Sequence, residues 1–140
     1  MIRPGLALAL WLALAVAVLL NNMIGDTLIA TLSGPRLAAW YKALVPMPYV
    51  ALLAAIHARR TAGPQWLAAA TLAAAAWPLS TALADALYGR FTFDEDWLAI
   101  ADRYGVQWGA PLPLLLAAAA ILPLIAGWYE ARRGGVRGLS

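Results

Sequence analysis

A few polar side chains interrupt otherwise apolar segments, and these are the residues whose types could support chemistry. Seven of them fall in the outer third of the predicted helix bundle: Asn21, Asn22, Asp26, Lys42, Ser80, Thr81 and Asp85. Carboxylates and a lysine can move protons or bind a polar ligand. A charge near a bilayer centre costs about 2.5–3.5 kcal/mol on insertion scales, so each one raises a functional question.

Two interpretations of these seven residues stay open. In the first, they form a polar pocket that opens outward, in which Lys42 pairs with Asp85 and the two asparagines complete a hydrogen-bonded cluster. In the second, they are interhelical hydrogen-bonding groups and ordinary interfacial charge, with Lys42 snorkelling towards the headgroups. The sequence predicts the cluster but does not decide between the two.

Signatures of catalysis, metals and cofactors are missing from the sequence. No serine has a credible base beside it, no glycine-rich loop could hold a phosphate, and no HExxH segment occurs. The chain has no cysteine and one histidine, His57, which excludes bis-histidine haem ligation and a plausible zinc site. We therefore predict no catalytic residue, no metal and no cofactor, with His57 as an interfacial polar residue.

Four apolar segments must position the polar residues. Hydrophobic residues make up 64% of the 140 residues and charged residues 12%, far from the composition of a soluble domain. A helix needs roughly 20 apolar residues to cross a bilayer, and four segments qualify: 5–24, 37–56, 66–87 and 110–129. Met1-Ile2-Arg3 before the first segment imitates a signal peptide, but no small-residue cleavage site follows Leu20, so an uncleaved span is expected. The predicted fold is an all-α, up-down bundle of four transmembrane helices forming one domain, 1–140.

The distribution of basic residues predicts the orientation. One side of the four spans carries six of them, Arg3, Arg59, Arg60, Arg132, Arg133 and Arg137, and the other carries four, Arg36, Lys42, Arg90 and Arg103. By the positive-inside rule both termini are cytoplasmic, in a bacterial inner membrane. Residues 130–140 are predicted to be a flexible basic tail attracted to anionic headgroups. The net charge of +3 and pI of about 9.7 thus reflect membrane orientation, and no nucleic-acid partner is expected.

The loop between the third and fourth spans predicts a structured outer cap. Thr92 and Glu95 have the spacing of a capping box, and apolar residues from Trp97 to Tyr104 recur at helical spacing. We expect a short amphipathic helix lying on the outer surface. The acids at 94–96 lack the spacing and central glycine of a calcium-binding loop, so helix capping is preferred to a calcium site.

Small residues predict close helix packing in three places. Gly105 and Gly109 form a G-x-x-x-G motif at the start of the last span, and alanine runs occupy 73–76 and 117–120. Such faces pack within a bundle or recruit another membrane protein.

Three motifs carry a resemblance to known proteins: Gly25-Asp26-Thr27-Leu28-Ile29-Ala30, Tyr41-Lys42 and Tyr88-Gly89-Arg90-Phe91. They resemble motifs of a group of small bacterial four-helix membrane proteins that has no established activity. In that group an acid precedes an aromatic–glycine corner, and a tryptophan-led loop helix ends in Asp-Tyr-Asn before a glycine. Asp85 corresponds to the acid, and Asp102-Arg103-Tyr104-Gly105 to the end of the loop helix. The resemblance implies a four-helix inner-membrane protein and no activity.

The sequence leads to three functional hypotheses. The first is a non-enzymatic membrane protein that acts as a subunit or accessory factor through helix–helix contacts, with the bilayer and another membrane protein or a second copy as partners. The second is a small transporter or ligand-binding membrane protein that uses the outer polar pocket. The third, a membrane enzyme of unknown type, rests only on the outer carboxylates.

Overall fold

The described part of the chain is all-helical. The computed structural model describes residues 3–102, 104 and 112–137. The elements are α1 (Pro4–Ile24), a π-helical turn (Gly25–Ile29), α2 (Ala30–Ser33), α3 (Pro35–Leu44), α4 (Pro46–Arg60), α5 (Trp66–Thr92), α6 (Trp97–Asp102) and α7 (Leu112–Arg137). The predicted start of the fourth span at Ala110 and the Gly105–Gly109 motif lie outside the described residues.

Four helical stretches of the described chain are long and apolar enough to cross a membrane. They are Pro4–Ser33, Pro35–Arg60, Trp66–Thr92 and Leu112–Gly135, with lengths of 30, 26, 27 and 24 residues. Each is at least as long as the roughly 20 residues that a bilayer core requires. The protein is therefore a multi-pass membrane protein.

The first stretch extends well past the predicted boundary at Ile24. The chain passes from α1 through the π-helical turn into α2 without leaving the helix. The Thr27 hydroxyl donates a hydrogen bond to the Met23 carbonyl oxygen at 2.6 Å, so a polar residue is accommodated within the helix. The helix ends only at Gly34, whose φ of 91° lies in a region that side chains disfavour.

Prolines mark where the second stretch begins and where it is interrupted. Pro35 and Pro46 begin α3 and α4, where a missing N–H is tolerated. Pro46 and Pro48 cannot donate to the preceding turn, so the α-helical ladder is interrupted at Val45. The sequence predicts a kink at this proline pair, and the interruption falls at that position.

A compact apolar core joins the four stretches. Its buried members come from α1, α4, α5 and α7: Leu14, Val50, Ala54, Ala73, Trp77, Leu115 and Ala119. Trp77 is fully buried, and its indole N–H donates to the Ala7 carbonyl oxygen at 3.2 Å. Because small residues surround this one large ring, the helices approach closely.

We call the region of residues 57–66 and 127–133 the Gly63 end. Here Gly127 brings α7 against α5, since a Cβ atom at Gly127 would lie 3.1 Å from the Ala70 Cβ. Arg59 forms an ion pair with Glu130 at 3.6 Å. The helical hydrogen-bond ladder of α7 continues through this region to Arg137.

The predicted flexible tail is helical where the structure describes it. Residues 130–137 belong to α7, whereas the sequence predicts a flexible segment there. Cation–π contacts account for the difference: the Arg132 guanidinium lies 4.2 Å from the Trp128 ring centroid, and that of Arg133 lies 5.5 Å from the Tyr129 ring centroid. Basic residues also stabilise the C-terminal turn of a helix.

Candidate functional site

A cavity of about 620 Å³ lies between the helices, remote from the Gly63 end. We call its location the Gly34 end. Here the first and third stretches end, the second stretch begins, and α6 and the start of α7 lie nearby. Three helices line it with residues at i, i+3, i+4 and i+7, which form one helical face. The stripes are Ala15, Val18, Leu19 and Asn22 on α1; Arg36, Ala39, Trp40 and Ala43 on α3; and Thr81, Ala84, Asp85 and Tyr88 on α5.

The cavity is apolar at one end and charged at the other. Leu112 and Leu115 on α7 join Ala15 and Val18 at the inner end. From Ala15 to Asn22 a helix rises about 10 Å, and the lining changes over that length from alkyl to amide. The charged groups at the outer end are Arg36, Lys42, Asp85 and Asp102.

Four of the seven predicted pocket residues line this cavity, namely Asn22, Lys42, Thr81 and Asp85. Asp26 stands behind Lys42. Asn21 and Ser80 are absent from the lining, because a residue next to a stripe is rotated by about 100° around its helix. Asn21 instead follows Ala7 and Leu14 in the buried row of α1.

Three polar lining residues were not among the predicted pocket members: Arg36, Tyr88 and Asp102. Arg36 lies just before the predicted start of the second span, but α3 already begins at Pro35. The 3–4 spacing could have found Arg36 and Tyr88, whereas it gives no signal for Asp102 on α6. Counting back four residues from Trp40 gives Arg36, and counting on three from Asp85 gives Tyr88.

Lys42 is held by an ion pair at the edge of the cavity. Its Nζ lies 2.8 Å from Oδ1 of Asp26, and the two side chains are 26% and 24% exposed. One of the two sequence-based interpretations pairs Lys42 with Asp85 instead. The π-helical turn accounts for the difference, because it places Asp26 on the side of the first stretch that α3 contacts.

Gly25 makes that ion pair possible. A Cβ atom at Gly25 would lie 2.6 Å from Lys42 Cγ and 3.3 Å from a ring carbon of Tyr41. Any side chain would therefore displace the lysine stem. π-helical turns are often found at functional sites, where they re-aim side chains.

Asp85 faces the cavity from α5 and is tied to the segment after α6. The Tyr104 hydroxyl lies 3.3 Å from Asp85 Oδ2 and 3.2 Å from the Ala82 carbonyl oxygen. Tyr104 thus connects the predicted cap to the cavity wall. This contact joins a residue predicted for the pocket to one predicted for the cap.

The local capping prediction is wrong at Thr92. Thr92 is the last residue of α5, which runs one turn further than expected. The cap of α6 is Asp96, whose Oδ1 accepts a hydrogen bond from the Ala99 N–H at 2.7 Å. The Glu95 carbonyl oxygen accepts a hydrogen bond from Arg90 at 3.1 Å, and the Arg90 guanidinium lies 5.7 Å from the Trp97 ring centroid.

His57, which the sequence predicts to be an interfacial polar residue, is buried between helices near the end of α4. Its side chain is 1% exposed, and its ring contacts Trp77 edge-on at a centroid distance of 5.8 Å. The Nε2 atom has no hydrogen-bond partner among the described residues. Within residues 3–102, 104 and 112–137, no group of three histidine, cysteine or acidic residues could hold a metal ion.

Fold and site together define a multi-pass helical membrane protein with an amphipathic cavity at one end. Comparison with protein-family models, with curated proteins and with solved structures found no match to this chain. The resemblance to small bacterial four-helix membrane proteins therefore stays a prediction.

Proposed function

We propose that this protein binds a small ligand in the cavity at the Gly34 end. The observation that carries the proposal is the set of matching stripes on α1, α3 and α5 around a volume of about 620 Å³. Small-molecule sites typically enclose about 300–1,000 Å³, with mostly apolar walls and a few polar groups. The cavity has both properties.

The packed core at the inner end of the cavity favours a ligand-binding function over transport. The lining extends inward to Ala15 and Leu115, and the buried core of Leu14, Val50 and Trp77 follows directly. A close-packed core leaves no path for a solute. The proposed site therefore opens on one side of the molecule only.

The proposed membrane arrangement is an up-down bundle in a bacterial inner membrane. Both termini and the Gly63 end face the cytoplasm, supported by the six basic residues at that end against four at the other. The Gly34 end then faces outward. The short helix α6 lies over the outer surface beside the cavity, as an amphipathic cap that Tyr104 holds against α5.

A cavity-filling variant tests the proposal. Ala84→Phe adds a ring to the lining, whereas Ala75→Phe adds the same ring to an exposed position of the same helix. We expect native mass spectrometry from nanodiscs to show a bound small molecule on the wild type and on Ala75→Phe, and its loss from Ala84→Phe. The same ligand occupancy on both variants, or no bound molecule on the wild type, would contradict the proposal.

The second candidate function is a subunit or accessory factor, and one observation favours it. The exposed face of α5 carries small residues at Ala68, Thr71 and Ala75, with spacing suited to close helix contact. On the opposite face of α5, Ala73 from the alanine run 73–76 is in the core. An affinity pull-down in mild detergent tests this function: we expect Ala75→Phe, but not Ala84→Phe, to lose a membrane partner. Recovery of the wild type alone would contradict it.

A further inference from the structure

The charges around the cavity are divided between its two walls. Arg36 and Lys42 belong to α3, and Asp85 and Asp102 belong to α5 and α6. The cavity therefore has a basic wall and an acidic wall at its outer end. A ligand with a single sign of charge would meet attraction from one wall and repulsion from the other.

The basic wall is pre-arranged. The ion pair with Asp26 at 2.8 Å fixes the Lys42 ammonium, which retains further N–H donors for a second acceptor. Arg36 lies six residues earlier on the same helix, about 9 Å along its axis. Among the described residues no ion pair holds Arg36, so its planar guanidinium can accept a phosphate or carboxylate in a bidentate contact.

The acidic wall combines carboxylates with an aromatic ring. Asp85 and Tyr88 share the α5 stripe, and Asp102 contributes a second carboxylate from α6. A carboxylate has about four acceptor positions, so one that already accepts a hydrogen bond can accept another from an ammonium. An ammonium group is also attracted to the face of an aromatic ring.

The inner end of the cavity selects for an apolar group. Ala15, Val18, Leu112 and Leu115 offer only alkyl surface there. A wholly polar zwitterion would leave this surface without contact. A ligand that matches the whole cavity therefore has a zwitterionic group at one end and an alkyl portion at the other.

We propose that the cavity binds a zwitterionic amphiphile, with its anionic group against Arg36 and Lys42, its ammonium against Asp85 and Asp102, and its alkyl portion between α1 and α7. This inference rests on the proposed ligand-binding function. A membrane phospholipid headgroup and a soluble zwitterion with an alkyl chain share this chemistry.

Four matched probes test the ligand class. Octylphosphocholine carries both charges and a tail, octyl phosphate only the anion, octyltrimethylammonium only the cation, and phosphocholine has no tail. Titration calorimetry on the full chain in nanodiscs, with empty nanodiscs as baseline, measures each affinity. We expect octylphosphocholine to bind at least about tenfold more tightly than the other three, which corresponds to one charge-assisted contact or one alkyl contact.

Single substitutions should redirect the charge preference. We expect Arg36→Gln to weaken octylphosphocholine binding about tenfold, so that octylphosphocholine and octyltrimethylammonium then bind with equal affinity. We expect Asp102→Asn to weaken octylphosphocholine binding about tenfold and to make the affinity for octyl phosphate equal to it. Arg132→Gln, at the opposite end of the molecule, is the matched control and should change none of the affinities. Both Arg36 and Asp102 are exposed, so their variants should retain the wild-type helical circular dichroism.

The outcomes separate this inference from the proposed function. If a singly charged probe binds as tightly as octylphosphocholine, and Ala84→Phe abolishes that binding, the zwitterion inference fails while the ligand site stands. If no probe binds and native mass spectrometry finds no ligand, both fail. Retention of a zwitterionic molecule from the native membrane supports the inference. Phosphatidylethanolamine would identify the source as membrane lipid, and a soluble amphiphile would identify it as the aqueous phase. Retention of an anionic lipid alone contradicts it.

Discussion

The two ends of this molecule use their buried space in opposite ways. Towards the Gly63 end, Trp77, His57 and Val50 are buried with 0–1% exposure among small alanines. At the Gly34 end the same helices separate around a cavity of about 620 Å³ that is lined by charged groups. Within lipid, helices associate through packing and hydrogen bonds and not through the hydrophobic effect. The comparison therefore assigns stability to the packed end, and we propose that the open end binds the ligand.

The largest expected effect is at Trp77. Trp77→Ala removes a fully buried ring and its hydrogen bond to Ala7, and should lower the free energy of unfolding by about 3 kcal/mol, near the lower limit for such truncations in soluble cores. Trp40→Ala, in the cavity wall, should cost less than about 1 kcal/mol. Denaturant titration in detergent measures both. Equal losses at the two tryptophans would break the distinction between the packed and the open end.

A smaller effect is expected at Gly25. Gly25→Ala places a Cβ atom 2.6 Å from Lys42 Cγ, so the lysine must move and the unfolding free energy should fall by about 1–3 kcal/mol. Gly127→Ala should cost less, because its nearest neighbours lie 3.1 Å away. Gly134→Ala meets nothing within 4 Å and should instead stabilise the helix by about 0.5–1 kcal/mol. A Gly25→Ala protein as stable as the wild type would show that the close approach is unimportant.

The ion pair at the cavity edge should show coupling between its partners. Asp26→Asn leaves the partly buried Lys42 without its counter-charge and should cost about 1 kcal/mol, limited by solvent exposure. Adding Lys42→Met should recover most of that loss, because the unpaired charge is then removed. A double-mutant cycle on unfolding free energies tests this. Additive losses would mean that the two residues do not interact.

The smallest effect is expected for the ion pair at the Gly63 end. Arg59 is 68% exposed and lies 3.6 Å from Glu130, so Arg59→Gln should change the unfolding free energy by less than about 0.5 kcal/mol. The change should disappear at high salt, because exposed charges are screened. A loss as large as that for Asp26→Asn would remove the contrast between the two ion pairs.

The sequence predicts the four membrane-crossing helices because apolar length is a direct physical requirement of the bilayer. It also places Asn22, Lys42, Thr81 and Asp85 in one region, since counting helical rise locates residues along parallel axes. Rise alone does not give rotation about each axis. The sequence therefore groups Asn21 with Asn22, and although both are buried, only Asn22 lines the cavity.

Two further features depend on contacts between helices, and a third depends on arginine–aromatic pairs at i, i+4 along one helix. The pairing of Lys42 with Asp26 depends on a π-helical turn and on the absence of a side chain at Gly25. The helical end of α7 depends on arginines packing on Trp128 and Tyr129. The burial of His57 depends on the Trp77 ring of another helix.

The most direct test of the central claim is photo-crosslinking with a diazirine-bearing zwitterionic amphiphile in nanodiscs, followed by peptide mapping. A ligand in the cavity should label the stripes on α1, α3 and α5, at positions such as Val18, Ala39 and Ala84, and excess octylphosphocholine should suppress that labelling. Labelling that falls equally on the exposed Leu79 and Leu83, and that octylphosphocholine does not suppress, would contradict a binding site at the Gly34 end.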